Sequence, residues 1–252
     1  MEMVLLTALG VGGATIIGAI IGFFFKKPSH KFYDIILSFA AGVMLAAAVI
    51  GLIMPSLDSD NKTSIIITIL GIFSGAICLN LIDKLVPHLH RITGIDQETH
   101  PEQSNKINKI LFFVIAIAIH NLPEGIAAGV SFGNDDVSQA LIVAGGIALQ
   151  NIPEGMIIIA PLISTGMKKK KVFLIALMTG VIEIVGTLIG YFAVSISAFI
   201  LPFALAFAGG TMLYVISDEM IPETHSHGNE RSATYGLLIG FCLMLAVDFL
   251  LG

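Results

Sequence analysis

Charge is what this chain has least of. Only 12% of its 252 residues are Asp, Glu, Lys or Arg, while 56% are hydrophobic, and the mean hydropathy is +0.92. A soluble domain carries about 25% charged residues. A water-soluble globular fold is therefore excluded, and a polytopic membrane protein is implied. Tryptophan is absent, which leaves any interfacial aromatic belt to four Tyr and 16 Phe. Cysteine is limited to Cys78 and Cys242, both inside apolar runs. That excludes a disulfide scaffold or a cysteine-built zinc cluster, and the pair reads as two small buried hydrophobes. No His-Glu-x-x-His word occurs, so the helix of a zinc protease is missing. Nothing in the sequence points to a nucleic-acid partner.

What is present is apolar length. A span takes about 20 apolar residues, and eight candidates follow, at about 3–25, 33–54, 63–86, 108–131, 138–165, 172–194, 199–221 and 233–251. The first is too long for a signal-peptide core and its positive charges follow it, so it reads as a retained first span. The expected fold class is an all-α polytopic membrane protein of eight transmembrane helices, a single domain over residues 1–252. One connection is long and polar, at about 87–107, with Pro87, His88, His90, His100 and Pro101, and reads as a mobile loop. The weakest boundary between spans falls near Ser195-Ile196-Ser197, just before Pro202.

The few charges are sorted by side. Lys26, Lys27, Lys31, Lys84, Arg91, Lys106, Lys109, Lys168 to Lys171 and Arg231 flank alternate connections, and of the 13 basic residues only Lys62 falls on the other side. The bias makes those connections cytoplasmic and puts both termini outside a cell membrane. Asp58, Asp60, Asp135 and Asp136 lie on the opposite, outer connections. The run Lys168 to Lys171 reads as a topology signal at a helix end.

Against this background one polar word appears twice. His120-Asn121-Leu122-Pro123-Glu124-Gly125 is answered by Gln150-Asn151-Ile152-Pro153-Glu154-Gly155. His120 and Gln150 each lie about twelve residues into their spans, so at about 1.5 Å per residue both are about 18 Å deep in a core about 30 Å thick. Glu183 reaches a similar level on the sixth span. Within each word, residues four apart share a helix face, so His120 points with Glu124 and Gln150 with Glu154. Pro123 and Pro153 have no N–H for the carbonyls of Ile119 and Leu149, which predicts a kink with an exposed carbonyl in each helix. No lysine or arginine lies at that depth to neutralise Glu124, Glu154 and Glu183. Unpaired charges there cost several kcal/mol each, and a divalent cation is the natural neutraliser. Imidazole, carboxylate and amide donors without thiolate suit Zn²⁺, Fe²⁺ or Mn²⁺ and not Cu⁺.

The paired words and Glu183 resemble the ZIP family of divalent-metal transporters, and within it the prokaryotic branch, over essentially the whole chain. The resemblance implies a homodimeric importer in the lipid bilayer, with Zn²⁺ as transported substrate and Fe²⁺, Mn²⁺ and Cd²⁺ as further cargo. It also implies elevator-like alternating access and a binuclear site between helices 4, 5 and 6, formed by His120, Asn121, Glu124, Gln150, Asn151, Glu154 and Glu183. Many members of the family carry His at the position of Gln150, and some a carboxylate at that of Asn151, so the site here is expected to be less anionic. Met44, Asp58 and Asp248 are candidates for the outer approach path. Asp83, His88, His90, Asp218, Glu219, Glu223, His225 and His227 are candidates for the inner exit. An intramembrane metalloenzyme and a cation or proton channel are the competing readings. The first has no recognisable catalytic word, and the second gives no reason for the duplicated motif.

Overall fold

The computed structural model of the chain describes residues 1–25, 29–57, 62–85, 120–133, 136–164, 166–196 and 198–251. The connection at 87–107, the fourth span up to residue 119, Asp58, His88, His90 and the side chain of Asp83 lie outside the described residues. Among those described, regular structure is helical throughout. The helices are α1 (Glu2–Gly22), α2 (His30–Ala46), α3 (Ser64–Leu85), α4 (120–130), α5 (Val137–Ser164), α6 (Lys169–Ile196), α7 (Leu201–Val215) and α8 (Glu230–Leu251). Seven of these elements are long and apolar enough to cross a membrane, and α4 begins where the described residues resume.

Local chemistry marks the helix ends. Ser29 caps α2 by accepting from the Phe32 amide at 3.2 Å, an N-cap worth about 1 kcal/mol. Pro202 sits in the first turn of α7, where its missing N–H has no cost. Gly166 and Gly228 take φ of 80° and 78°, left-handed values that let the chain reverse between α5 and α6 and between α7 and α8.

The motif helices run on through their prolines. α5 stays α-helical through Pro153, as α4 does through Pro123. Helical type changes elsewhere: α2 widens into a π-helix over Ala47–Ile53 ahead of Pro55, and α7 does the same over Ile216–Met220 ahead of Pro222. A π turn shifts the hydrogen-bond register by one residue, which relieves the clash between a proline ring and the preceding turn.

The helices sort into two groups of four. In one, α1 packs along α5 and α6, and α4 lies against α6; in the other, α2 packs on α8 and α3 on α7. Within each group backbones touch at glycine. A Cβ on Gly155 would strike the carbonyl of Thr15 and one on Gly125 that of Glu183, while Gly42 abuts Leu237 and Gly75 abuts Phe207 in the second group. Between the groups the approach is through side chains. Gly51 of the α2 π segment faces the Val143 side chain of α5, and Gly146 of α5 faces the Met244 thioether of α8. The shared core there is built from Ala40, Ala41, Met44, Ala48 and Leu52 on one side and Ala127, Ala128, Val143, Ala144 and Ile147 on the other.

The exterior is apolar. Ile66, Leu70, Phe73, Ile77 and Leu81 of α3 are between 55% and 63% exposed, and only 17% of the apolar window of α8 is buried. Such faces require a lipid surround. The cysteines follow the same logic and correct the expectation that both are buried: Cys242 is exposed and Cys78 only partly covered. On a lipid-facing helix an apolar run does not imply protein burial.

Candidate metal centre

The two polar words converge with Glu183 in the first helical group. The Glu124 carboxylate is buried beside Gln150, with the Glu154 and Glu183 carboxylates nearby. Of the seven residues expected from the motifs, Asn121 and Asn151 meet Glu183 directly and Glu124 lies beside Gln150, while His120 is engaged elsewhere. The structure adds Thr15 of α1 to this cluster. Its hydroxyl donates to both Glu183 oxygens, at 2.7 and 2.9 Å. Asn151 Nδ2 donates to Glu183 Oε2 at 2.8 Å and Asn121 Nδ2 to Oε1. The motif glycines explain how Thr15 arrives. Gly155 admits the backbone of α1 at Thr15, and Gly125 admits that of α6 at Glu183. Thr15 had a readable signal: it lies about twelve residues into the first span, and so about 18 Å deep by the rise of 1.5 Å per residue.

The other half of the cluster is unsatisfied. Glu124 Oε2, both amide atoms of Gln150, Asn151 Oδ1 and Glu154 Oε1 are buried without a hydrogen-bond partner. Each such atom costs about 1–3 kcal/mol, and five of the six such side-chain atoms found among the described residues lie in this one cluster. His120 is turned away from them: its Nε2 lies 2.8 Å from Glu219 Oε1 of the α7 π segment. This pair bridges the two helical groups. Among the described residues no three His, Cys, Asp or Glu side chains are already arranged around a common cation point.

The expected approach and exit residues fare unevenly. Met44 is fully buried in the core shared by the two groups. Asp248 accepts from Gln139 Nε2 at 3.2 Å at the opposite ends of α8 and α5 from the His30 side. On the other face, Asp218 is exposed and Glu219 engages His120, while Glu223 is half-buried. His225 folds back on its own helix, with Nδ1 at 2.8 Å from the Ile221 carbonyl. His227 points away from it, with Nδ1 at 3.0 Å from Asp34 Oδ1. Asp34 is completely buried. It also accepts from Asn229 Nδ2 at 2.9 Å, and His30 stacks on His227 at 4.8 Å. Asp34 and His30 carried no motif, and their pairing with residues nearly two hundred positions away has no local signal.

An all-helical membrane protein enclosing carboxylate, imidazole and amide groups among its helices is the class defined by these features. The family model described as ZIP Zinc transporter matches residues 94–248. The chain is 39% identical to the zinc transporter GufA of Myxococcus xanthus over 254 residues, covering 98% of each protein. It is 37% identical to the zinc transporter ZIPB of Bordetella bronchiseptica, covering 95% of this chain and 78% of that one. It is 35% identical to the zinc transporter ZupT of Chlorobaculum parvum, covering 95% and 94%. The chain belongs to the ZIP zinc transporter family, whose members are transporters and not enzymes.

Proposed function

We propose that the protein carries divalent metal cations, Zn²⁺ foremost and Fe²⁺, Mn²⁺ or Cd²⁺ as further cargo, across a cell membrane into the cytoplasm. The cation is bound by Glu124, Gln150 and Glu154 together with His120. The observation that carries this reading is the set of five buried, unpartnered polar atoms on Glu124, Gln150, Asn151 and Glu154. Four of the five are oxygens, and lone-pair donors without hydrogen-bond partners are what a cation satisfies. The zinc-transporting relatives support the choice of metal.

Movement follows from how the helices pack. Backbone contacts at glycine tie the helices of the first group together and pair α2 with α8 and α3 with α7 in the second, whereas side chains meet between the groups. The group holding Glu124, Glu154 and Glu183 therefore slides as a body against the group of α2, α3, α7 and α8. The eight-span count, the outer placement of both termini and the homodimer belong to the same proposal. On the outer side Asp58 and Asp248 gather the cation. On the inner side Asp83, His88, His90, Asp218, Glu219, Glu223, His225 and His227 receive it. Glu219 competes with the cation for the same His120 nitrogen, which gives release a driving contact. Saturable ⁶⁵Zn²⁺ uptake into proteoliposomes tests the reading; uptake linear in concentration to millimolar Zn²⁺ would favour a channel instead.

Protons oppose binding, because an imidazole must be neutral to ligate. The expected result is an uptake KM for Zn²⁺ that rises as the pH is lowered from 7.5 to 5.5. A KM constant over that range would remove His120 from the ligand set.

A further inference from the structure

Glu183 is treated differently from the other two carboxylates at this level. Glu124 and Glu154 each leave an oxygen without a partner. Glu183 is wholly buried, and both of its oxygens are occupied by donors from three other helices: Thr15 of α1, Asn121 of α4 and Asn151 of α5. An amide facing a carboxylate must present its nitrogen, so the orientation of both asparagines is chemically fixed. Three donors thus engage both Glu183 oxygens, the single Thr15 proton being shared between them.

We infer that Glu183 is a structural hub and not a metal ligand, that Thr15, Asn121 and Asn151 are positioning residues for it, and that the site therefore holds one divalent cation and not two. This rests on the transport reading above. Charge decides between the two occupancies. One divalent cation is balanced by Glu124 and Glu154, and the remaining negative charge of Glu183 is spread over three hydrogen-bond donors. Two divalent cations bring four positive charges against three carboxylates and strip Glu183 of its donors. A net positive charge in the middle of the bundle, without a counter-ion, is the costlier arrangement. A carboxylate in place of Asn151 reverses the sum: four negative charges balance two divalent cations, and a donor to Glu183 becomes a repelling neighbour that only a second cation can bridge.

The test is metal retention by the purified full-length protein, loaded with Zn²⁺, freed of excess by gel filtration and assayed for zinc per chain. Zinc held elsewhere on the surface is removed from the count by comparing variants. Glu154→Ala is expected to lose one equivalent relative to the natural chain and Glu183→Gln none. Asn151→Asp is expected to gain one equivalent, and Asn151→Asp with Glu183→Gln to lose it again. Loss of an equivalent in Glu183→Gln alone, with the melting temperature of the metal-free protein unchanged, overturns the inference and leaves the transport reading intact. Full retention in Glu154→Ala overturns both. Should Asn151→Asp fail to fold, the comparison of the natural chain with Glu183→Gln decides alone.

Discussion

Glu154→Ala is expected to reduce ⁶⁵Zn²⁺ uptake to the level of empty liposomes, at least about a hundredfold below the natural chain. Two effects add. The substitution removes a charged ligand, and hydrogen bonds or ion contacts to a charged group are worth more than neutral ones. It also leaves a divalent cation with one carboxylate, Glu124, so the bound state carries a net positive charge in low dielectric. A loss of about 2.7 kcal/mol in binding corresponds to a hundredfold in affinity. The sign of the stability change separates lost function from lost fold. Glu154 Oε1 is buried with no partner, so the metal-free protein gives up an unsatisfied carboxylate and should melt no lower than before. What should vanish is the stabilisation by added Zn²⁺, about 2.7 kcal/mol at a hundred times Kd for a single site. A variant that melts normally, still gains stability with Zn²⁺ and still transports would remove Glu154 from the site. A variant that melts lower without metal would give Glu154 a structural role instead.

The parts of this molecule that were readable in advance are those that depend on depth. Hydropathy located α1 to α3 and α5 to α8 within a few residues, because each must match the thickness of the bilayer. Depth arithmetic put Asn121, Asn151 and Glu183 near one level, and the structure brings these three side chains together. Rotation and neighbours were not readable. Nothing local distinguishes Thr15 from any other small residue in a Gly- and Ala-rich helix, although its depth would have singled it out. His120 was expected to face Glu124; its contact with Glu219 joins α4 to α7 across 99 positions, which no periodicity encodes. Pro123 and Pro153 lie within continuous α-helix, whereas the change of helical type precedes Pro55 and Pro222. A proline states that a hydrogen bond is lost, but not whether the helix absorbs the loss in place or widens beforehand. His225 and His227, two residues apart, read as one cluster, but a helix end separates them into one side chain folded back and another pinned to Asp34.

The proposed sliding of one helical group against the other makes the second large prediction. The backbone of Gly51 in the α2 π segment comes close to α5, and a Cβ there would stand 3.5 Å from Val143 Cβ. That separation is within the range bridged by a disulfide, about 3.5–4.5 Å. Gly51→Cys with Val143→Cys, in a chain whose Cys78 and Cys242 are replaced by Ser, is therefore expected to cross-link on mild oxidation. The bond would tie the group carrying Glu124 and Glu154 to the group of α2, α3, α7 and α8. Uptake should fall to background on oxidation and return on reduction, while Zn²⁺ retention at equilibrium persists, since the tie lies away from the ligands. A matched pair within one group serves as control. The hydroxyls of Ser56, in the turn that follows the α2 π segment, and Thr68 of α3 lie 2.9 Å apart, so Ser56→Cys with Thr68→Cys should cross-link without loss of transport. If oxidised Gly51→Cys/Val143→Cys protein, shown by mass to be fully bridged, still carries zinc at the reduced rate, the two groups do not move against each other at this contact. Alternating access would then have to arise within the group that holds the site. Its glycine contacts at Gly125 and Gly155 leave no room for such motion without separating α4 from α6 or α5 from α1. The cross-link therefore tests whether these helices slide as a body or separate one by one.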